Sequence, residues 1–537
     1  MKNQFIKDIF ESKISIVKNP IFALIVIGSI GLFLRLYYLP YDIPITLDGL
    51  KYFWYANDLV LGHVLTTYEV ANNGWPTFLS IFFSIFHFNN FMDYMTLQRI
   101  ISILISVLTI IPIYFLCKRF SNRSYAIFAA ALFVFEPHII QNSLFGITDP
   151  LYILLLTTSL VLFTSSNKKV MYASFSIVAL ASIVRVEGMF TFISLSILFF
   201  LRYRKEQKII IRYGLVLSIF ILSLLPMIIF RIESTGNDNL GSRVITTGNV
   251  ILGESFFQNS AFSTQFILSV KNFVHFFGLS LLPIFIIFIP LGIYFLFRTK
   301  NENTITIIIP ILLLLVSSYA AYYSGVQDSR YFYPLFPLFS IISVITIKII
   351  MDKIKIKRQK IFLIILISLI LLLSLTFLHF KSENIEHEKE ALSIAYHVAN
   401  MTSGINPYLK ESKYLPITEM SKHNFPILST DVGLPQNLVQ QDYPGQIWLG
   451  PKVILTDNFN SLEEYIESGK KKGLSHLVVD GAKNYPYRVS FLEDVYYNSE
   501  KYPYLTKVFD SNDYGYSYHL KIYKINYEQF ESVLIKK

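Results

Sequence analysis

Tyr331–Ile350 (YFYPLFPLFSIISVITIKII), Met351–Lys360 (MDKIKIKRQK) and Ile361–Phe380 (IFLIILISLILLLSLTFLHF) follow one another without a gap. Two apolar runs flank a short segment holding Lys353, Lys355, Lys357, Arg358 and Lys360. Each run is long enough to cross a bilayer as a helix, which takes about 20 apolar residues. The cations between them belong on the cytoplasmic side. After Phe380 the composition turns polar and stays so to Lys537. This stretch reads as the end of an α-helical polytopic membrane domain, residues 1–380, followed by an extracytoplasmic soluble α/β domain, residues 381–537.

The same pattern extends backwards. Of 537 residues, 53% are hydrophobic and 16% charged, against about 25% charged in ordinary soluble domains. Apolar runs of roughly 14–25 residues repeat along the chain, which excludes a soluble core, whose helices keep a polar face. The net charge of +10 does not mark a nucleic-acid binder, because the cations sit in short loops between apolar runs. A single cysteine, Cys117, excludes a disulfide framework and a cysteine metal site within the chain. Met1–Asn19 is polar and mildly basic, and reads as a cytoplasmic N-terminus rather than a cleaved leader.

Threading by charge gives about eleven spans. They are Ile21–Leu39, Ile100–Leu116, Tyr125–Ile140, Leu151–Phe163, two short spans within Val170–Leu201, Tyr213–Ile232, Phe273–Phe297, Ile305–Tyr323, Tyr331–Ile350 and Ile361–Phe380. The run Val170–Leu201 is divided at Arg185–Gly188, because only two spans there keep Arg202, Arg204, Lys205 and Lys208 inside. Pro40–Tyr94 is acidic and belongs outside, with Trp75–Phe88 as an interfacial or re-entrant helix. In the polar part, Glu388–Met401 has helical periodicity, and Phe425–Leu428, Lys452–Leu455 and His476–Val479 read as strands. Ser461-Leu462-Glu463-Glu464 is a capping box opening a helix that stops at Gly473.

This threading places Asp48, Lys51, Asp149, Arg185, Glu187, Asp328 and Arg330 at helix ends on one face. Single residues of this kind are commonly solvated loop residues, and Asp58, Glu69 and Asp93 are read that way. Arg185 and Glu187 stand between two apolar segments with almost no polar loop, as a structural ion pair or as pocket lining. A carboxylate can take a proton from an attacking hydroxyl, and arginine is the natural clamp for a phosphate. Together they suit a lipid-linked phosphosugar. A transporter uses such charges too, but usually near mid-bilayer and between repeated halves.

These residues resemble the GT-C superfamily of integral-membrane glycosyltransferases, nearest the protein mannosyltransferase and aminoarabinose-transferase-like group. Arg35 ends the first span as an arginine often does there. Asp48-Gly49-Leu50-Lys51-Tyr52, with Ala56 and Gly62, resembles the group's first-loop motif, except that Gly49 holds its second acidic position. Thr148-Asp149 resembles the turn opening the fourth span, and Ser329-Arg330-Tyr331 with Pro334 and Pro337 the late arginine-tyrosine-proline motif. The likeness covers roughly residues 20–350 and is carried by arrangement more than by strings. The Trp-Trp-Asp-Tyr-Gly motif of oligosaccharyltransferases is missing; Asp513-Tyr514-Gly515 reads as a turn.

The resemblance implies transfer of a sugar from a polyprenyl-phosphate donor to a hydroxyl of a protein or lipid-linked glycan, outside the cytoplasm and with inversion. It makes Asp48 the general base and Asp149 the residue orienting a substrate. Arg330, with Arg185 or Lys51, neutralises the leaving phosphate; Tyr52, Glu187 and Tyr331 line the pocket. A divalent cation between Asp48 and Asp149 is left open, with one carboxylate per loop as thin ligation. The alternatives are a transporter or flippase of lipid-linked sugars, and a non-catalytic member whose outer domain binds partners.

Overall fold

The computed structural model describes residues 19–45, 47–61, 73–88, 91–236, 261–298, 302–356, 358–380, 459–481, 490–517 and 519–536, with isolated positions between 389 and 454. The chain divides into two compact units. One comprises Met1–Leu39, Leu65–Phe82 and Leu97–Lys381; the other comprises Pro40–Val64, Phe83–Thr96 and Ser382–Lys537. The polar C-terminal part thus shares its unit with the segment that carries Asp48, a grouping that a boundary at 380/381 does not contain.

The helices run in chain order as α1 (Pro20–Tyr37), α2 (Leu47–Leu61), α3 (Gly74–Ile85), α4 (Phe91–Leu108), α5 (Ile110–Cys117), α6 (Arg123–Val134), α7 (Pro137–Leu144) and α8 (Asp149–Phe163). They continue as α9 (Lys168–Val184), α10 (Gly188–Tyr203), α11 (Ile209–Thr235), α12 (Ala261–Leu281), α13 (Phe285–Arg298) and α14 (Glu302–Tyr323). After a 3-10 segment, Ser329–Leu335, come α15 (Phe336–Ile354) and α16 (Gln359–Phe380). Among the described residues six helices are long and apolar enough to cross a membrane, or eight if each bent pair counts as one span.

The expected eleven spans are therefore not all supplied at membrane length. The expected third span breaks between α6 and α7 with a bend of 51°, and the expected eighth between α12 and α13 with a bend of 107°. Pro137 and Pro283 follow these breaks, and the residue before a proline is steered away from helix. The short helices α8 and α10 have 15 and 16 residues, or about 22–24 Å at 1.5 Å per residue, against a hydrocarbon core of about 30 Å.

At the α6–α7 break the freed backbone groups find partners, as low-dielectric surroundings require. Glu136 caps α7: one carboxylate oxygen accepts from the Ile139 amide at 2.8 Å, the other meets His138 Nδ1 at 2.8 Å. The Ser374 hydroxyl donates to the Phe135 carbonyl. Arg35, fully buried, donates to the Val134 and Gly31 carbonyls at 3.0 Å each, to Ser143 Oγ at 3.2 Å and to Ser106 Oγ at 3.1 Å.

In the second unit, strands β1 (Ile417–Thr418), β2 (Val453–Ile454), β3 (His476–Asp480), β4 (Leu505–Asp510) and β5 (Leu520–Ile525) form one sheet, in the order β2-β1-β3-β5-β4. β1 pairs parallel with β2 and β3; β5 pairs antiparallel with β3 and β4. Helices α17 (Leu462–Lys471), α18 (Ser490–Tyr497) and α19 (Tyr527–Lys536) accompany it. Tyr465, Ile466, Leu477, Val495, Tyr523 and Phe530 share its buried core. Ser461 accepts from the Glu464 amide as the capping box requires, and Gly473 follows the helix at φ +80°. Asp513 and Tyr514 end a 3-10 turn closed by Gly515. The expected strand Phe425–Leu428 lies outside the described residues, and those of Glu388–Met401 that are described are helical.

Candidate functional site

In the first unit three segments meet around Arg185. The first is the start of α8. Gly146, at φ +66°, turns the chain ahead of it, and its carbonyl accepts from Trp75 Nε1 at 2.9 Å and Gln98 Nε2 at 2.7 Å. Arg99 Nε donates to the Leu144 carbonyl at 3.1 Å. These bonds fix the turn that delivers Asp149, in the first turn of α8 and fully buried.

The second segment is the turn between α9 and α10. Arg185 is extended there, at φ −147° and ψ 134°, and the Gly188 amide returns to its carbonyl at 2.9 Å. A Cβ on Gly188 would stand 2.5 Å from the Ser182 amide nitrogen, so only glycine lets the turn lie this close to α9. The third is the 3-10 segment. Asp328 caps it, accepting from the Arg330 amide at 2.9 Å, while Tyr322 Oη donates to the Asp328 carbonyl at 2.7 Å. Ser318 Oγ donates to the Tyr331 carbonyl at 2.8 Å.

Arg185 joins the three. Its Nη1 meets Asp149 Oδ1 at 2.6 Å and its Nη2 meets Glu187 Oε1 at 2.5 Å. Its guanidinium carbon lies 5.3 Å from the Tyr331 ring and 6.0 Å from the Tyr152 ring. The guanidinium of Arg330 lies 5.8 Å from that same Tyr331 ring and pairs with Asp328 at 3.1 Å. Burial works against the Arg185 charge, but Asp149 and Glu187 overcome it and hold its pKa well above the ordinary value. Burial would likewise raise Glu187, yet Arg185 leaves its carboxyl below the usual range. Asp149 differs: burial outweighs Arg185 and leaves its carboxyl above the usual range, so Arg185 and Glu187 are the ionised, charge-assisted pair of the cluster. Two buried polar atoms in it have no hydrogen-bond partner among the described residues: Asp149 Oδ2 and Arg185 Nε.

Of the residues singled out from sequence, Asp149, Arg185, Glu187, Arg330 and Tyr331 are brought together here. Asp48, Lys51 and Tyr52 belong to the second unit, on the first turns of α2. Asp48 is half-buried, Lys51 exposed and Tyr52 buried. That helix is held by Phe53, whose ring lies 5.8 Å from Phe83, and the loop before it by the Ile45 amide on Met95 Sδ at 3.4 Å. Among the described residues no three His, Cys, Asp or Glu side chains gather to hold a metal.

Sequence reasoning missed two buried polar groups. Glu136 and His138 are one; the signal was two polar residues around Pro137 inside an apolar run. The other is Arg231, 2% exposed, whose Nε donates to Asn73 Oδ1 at 2.8 Å. It lies within the expected span Tyr213–Ile232, and nothing in sequence links it to Asn73.

Comparison with solved structures places the fold. ArnT from Cupriavidus metallidurans, bound to undecaprenyl phosphate, matches with TM-score 0.56 at 11% identity, over 93% of this chain and 97% of that one. The oligosaccharyltransferase from Archaeoglobus fulgidus, complexed with Zn and sulfate, matches with TM-score 0.52 at 12% identity, over 85% of this chain and 68% of that one. The A. fulgidus enzyme AglB with an inhibitory peptide and a dolichol-phosphate gives 0.50 at 13%, over 85% and 69%. The fold is thus that of GT-C glycosyltransferases. No curated protein matches the sequence. A family model described as a predicted membrane protein, DUF2079, matches residues 77–415, more than half of the chain. The protein belongs to the DUF2079 family of predicted membrane proteins.

Proposed function

We propose that this protein is a membrane glycosyltransferase that moves one sugar from a polyprenyl-phosphate donor to a hydroxyl of a protein or lipid-linked glycan, on the extracytoplasmic side. The observation that carries the reading is the Arg185 cluster with Arg330 beside it, on a fold shared with proteins solved with undecaprenyl phosphate and dolichol-phosphate. Charged groups buried at helix ends are costly to build and suit a site that meets a polar headgroup while the tail stays in lipid.

In this reading the acceptor oxygen attacks C1 of the sugar as the bond from C1 to the phosphate oxygen breaks. The electron pair leaves with the phosphate, the configuration inverts, and the acceptor's proton passes to the Asp48 carboxylate. A carboxylate is too weak a base to deprotonate an alcohol beforehand, so proton transfer is late and concerted. Arg330, whose side chain keeps 25% exposure, meets the charge developing on the phosphate. Arg185, held by two carboxylates, contributes its field and its hold on Asp149 and Tyr331. The extracytoplasmic C-terminal domain shapes acceptor choice.

The test is sugar transfer from radiolabelled polyprenyl-phosphate donors by the purified protein with extracted acceptors. Asp48→Asn keeps shape but loses proton acceptance, and should cost about 10²–10⁴-fold in rate. Arg330→Ala should weaken donor use. Full turnover by Asp48→Asn removes Asp48 as the base. A wild type that moves donor across vesicles but never forms a glycoside is a flippase, the reading favoured by the broken helices α6–α7 and α12–α13.

A further inference from the structure

We propose that the Asp149–Arg185 pair is a subsite that reads a hydroxyl of the donor sugar. The inference rests on the glycosyltransferase reading and assigns these residues to the sugar rather than to the phosphate. The two residues touch at 2.6 Å, and each keeps one buried atom without a partner among the described residues: an acceptor, Asp149 Oδ2, and a donor, Arg185 Nε. The hydroxyls of Tyr152 and Thr191, a turn further along α8 and α10, are buried beside the pair and partner each other.

The polarity of the open atoms selects the ligand. A phosphate only accepts, so it would satisfy Arg185 Nε but be repelled by the Asp149 carboxylate. A metal cation would satisfy Asp149 Oδ2 but be repelled by the guanidinium. A hydroxyl both donates and accepts, and answers both atoms at once. Water has the same chemistry as a sugar hydroxyl, and the experiment separates them. Tyr331, half-buried with its ring over Arg185, lies on the Arg330 segment, so sugar and phosphate would be held by adjoining parts of one site.

The experiment compares binding of undecaprenyl phosphate with binding of undecaprenyl-phosphate hexoses, intact or lacking one hydroxyl each, to wild type and to Asp149→Asn. The expected result is that one deoxy donor binds wild type more weakly, on the order of 10–100-fold. In Asp149→Asn the intact donor falls by the same factor, the penalty for that deoxy donor vanishes, and binding of undecaprenyl phosphate is unchanged. Equal loss of all ligands in Asp149→Asn overturns the proposal, as does a deoxy series that wild type does not distinguish, the result expected if water alone occupies the atoms. Neither result touches the glycosyltransferase reading. A wild type that binds no polyprenyl phosphate overturns that reading, and this one with it. Because Asp149→Asn could unfold the cluster, Thr191→Val serves as a second variant, expected to weaken the intact donor while leaving undecaprenyl phosphate unchanged.

Discussion

Replacing Arg185 by methionine keeps its length and removes its charge. Asp149, buried, and Glu187, half-buried, are then left without the cation that both of them contact, at 2.6 and 2.5 Å. Breaking a buried pair by removing one partner typically costs about 3–5 kcal/mol, because the remaining charge stays desolvated. Here the cation that linked α8, the α9–α10 turn and Tyr331 is gone, and a loss within that range is expected. The charge-neutral variant Asp149→Asn/Arg185→Met/Glu187→Gln strands nothing, and should recover most of the loss while remaining inactive. The assay is thermal unfolding of the detergent-solubilised full chain, with ligand-free samples at constant protein and detergent concentration. Arg185→Met as stable as wild type would refute the claim that Arg185 and Glu187 are ionised. A triple variant no more stable than Arg185→Met would refute the assignment of the cost to stranded charge. A lysine in place of Arg185 should rescue only partly, since an ammonium cannot bridge both carboxylates with a planar fork.

Gly188→Ala forces a Cβ to within 2.5–2.8 Å of the backbone of Ser182 and Ala181, and should cost about 1–3 kcal/mol by the same assay, with loss of transfer as Arg185 shifts. In the second unit, burial first and Lys524 second push the His476 pKa down to about 4 from 6.5. Its folded-state value is depressed, so the unfolded chain binds the proton first: stability is full above pH 6.5 and falls as pH drops towards 4, by up to about 3 kcal/mol. Pulse proteolysis in urea at pH 7.5 and 5 measures this, and His476→Leu should flatten the difference; an unchanged slope removes His476 as its source. The proposed sidedness predicts that in a Cys117→Ala background a thiol at Ser499→Cys is labelled by a membrane-impermeant reagent in intact cells while one at Asn122→Cys is not; the reverse pattern inverts the topology.

Much of the first unit was legible because charge and hydropathy act locally. The break at Arg185–Gly188 could be read from the cations at 202–208, which demanded a return to the cytoplasm, and a helix does end at Val184 and another begin at Gly188. The bends after Val134 and Leu281 were missed because an apolar run looks continuous when its residues are averaged, although Pro137 and Pro283 stood in it. Residues 149, 185, 187, 330 and 331 could be placed at helix ends from sequence, but not their pairing. That Asp149, 36 residues away, meets Nη1 of Arg185 depends on how α8 packs on α9, which no local pattern of either segment specifies. The grouping of Asp48 with the C-terminal unit was illegible for another reason. Trp54 and Tyr55 follow Asp48 in a stretch read only as an outer loop, yet both are buried within the described chain.

Arg35 and Arg185 show why one buried arginine is a lock and the other a candidate site. Both are buried, and both came forward from sequence as cations at span ends. All three nitrogens of Arg35 donate within the protein, to the Val134 carbonyl at the α6–α7 break, to the Gly31 carbonyl one turn back on α1 and to two serines. Four of its five N–H groups are used in this way, and the bond to Val134 is what a broken helix in lipid needs to satisfy its backbone. Arg185 spends two nitrogens on carboxylates, not carbonyls, and its third, with the second oxygen of Asp149, is left open in a place where an unmet polar atom costs about 1–3 kcal/mol. A fold that satisfies its buried arginine so fully at one break and leaves another short by a matched donor and acceptor is holding that second place for something that brings both.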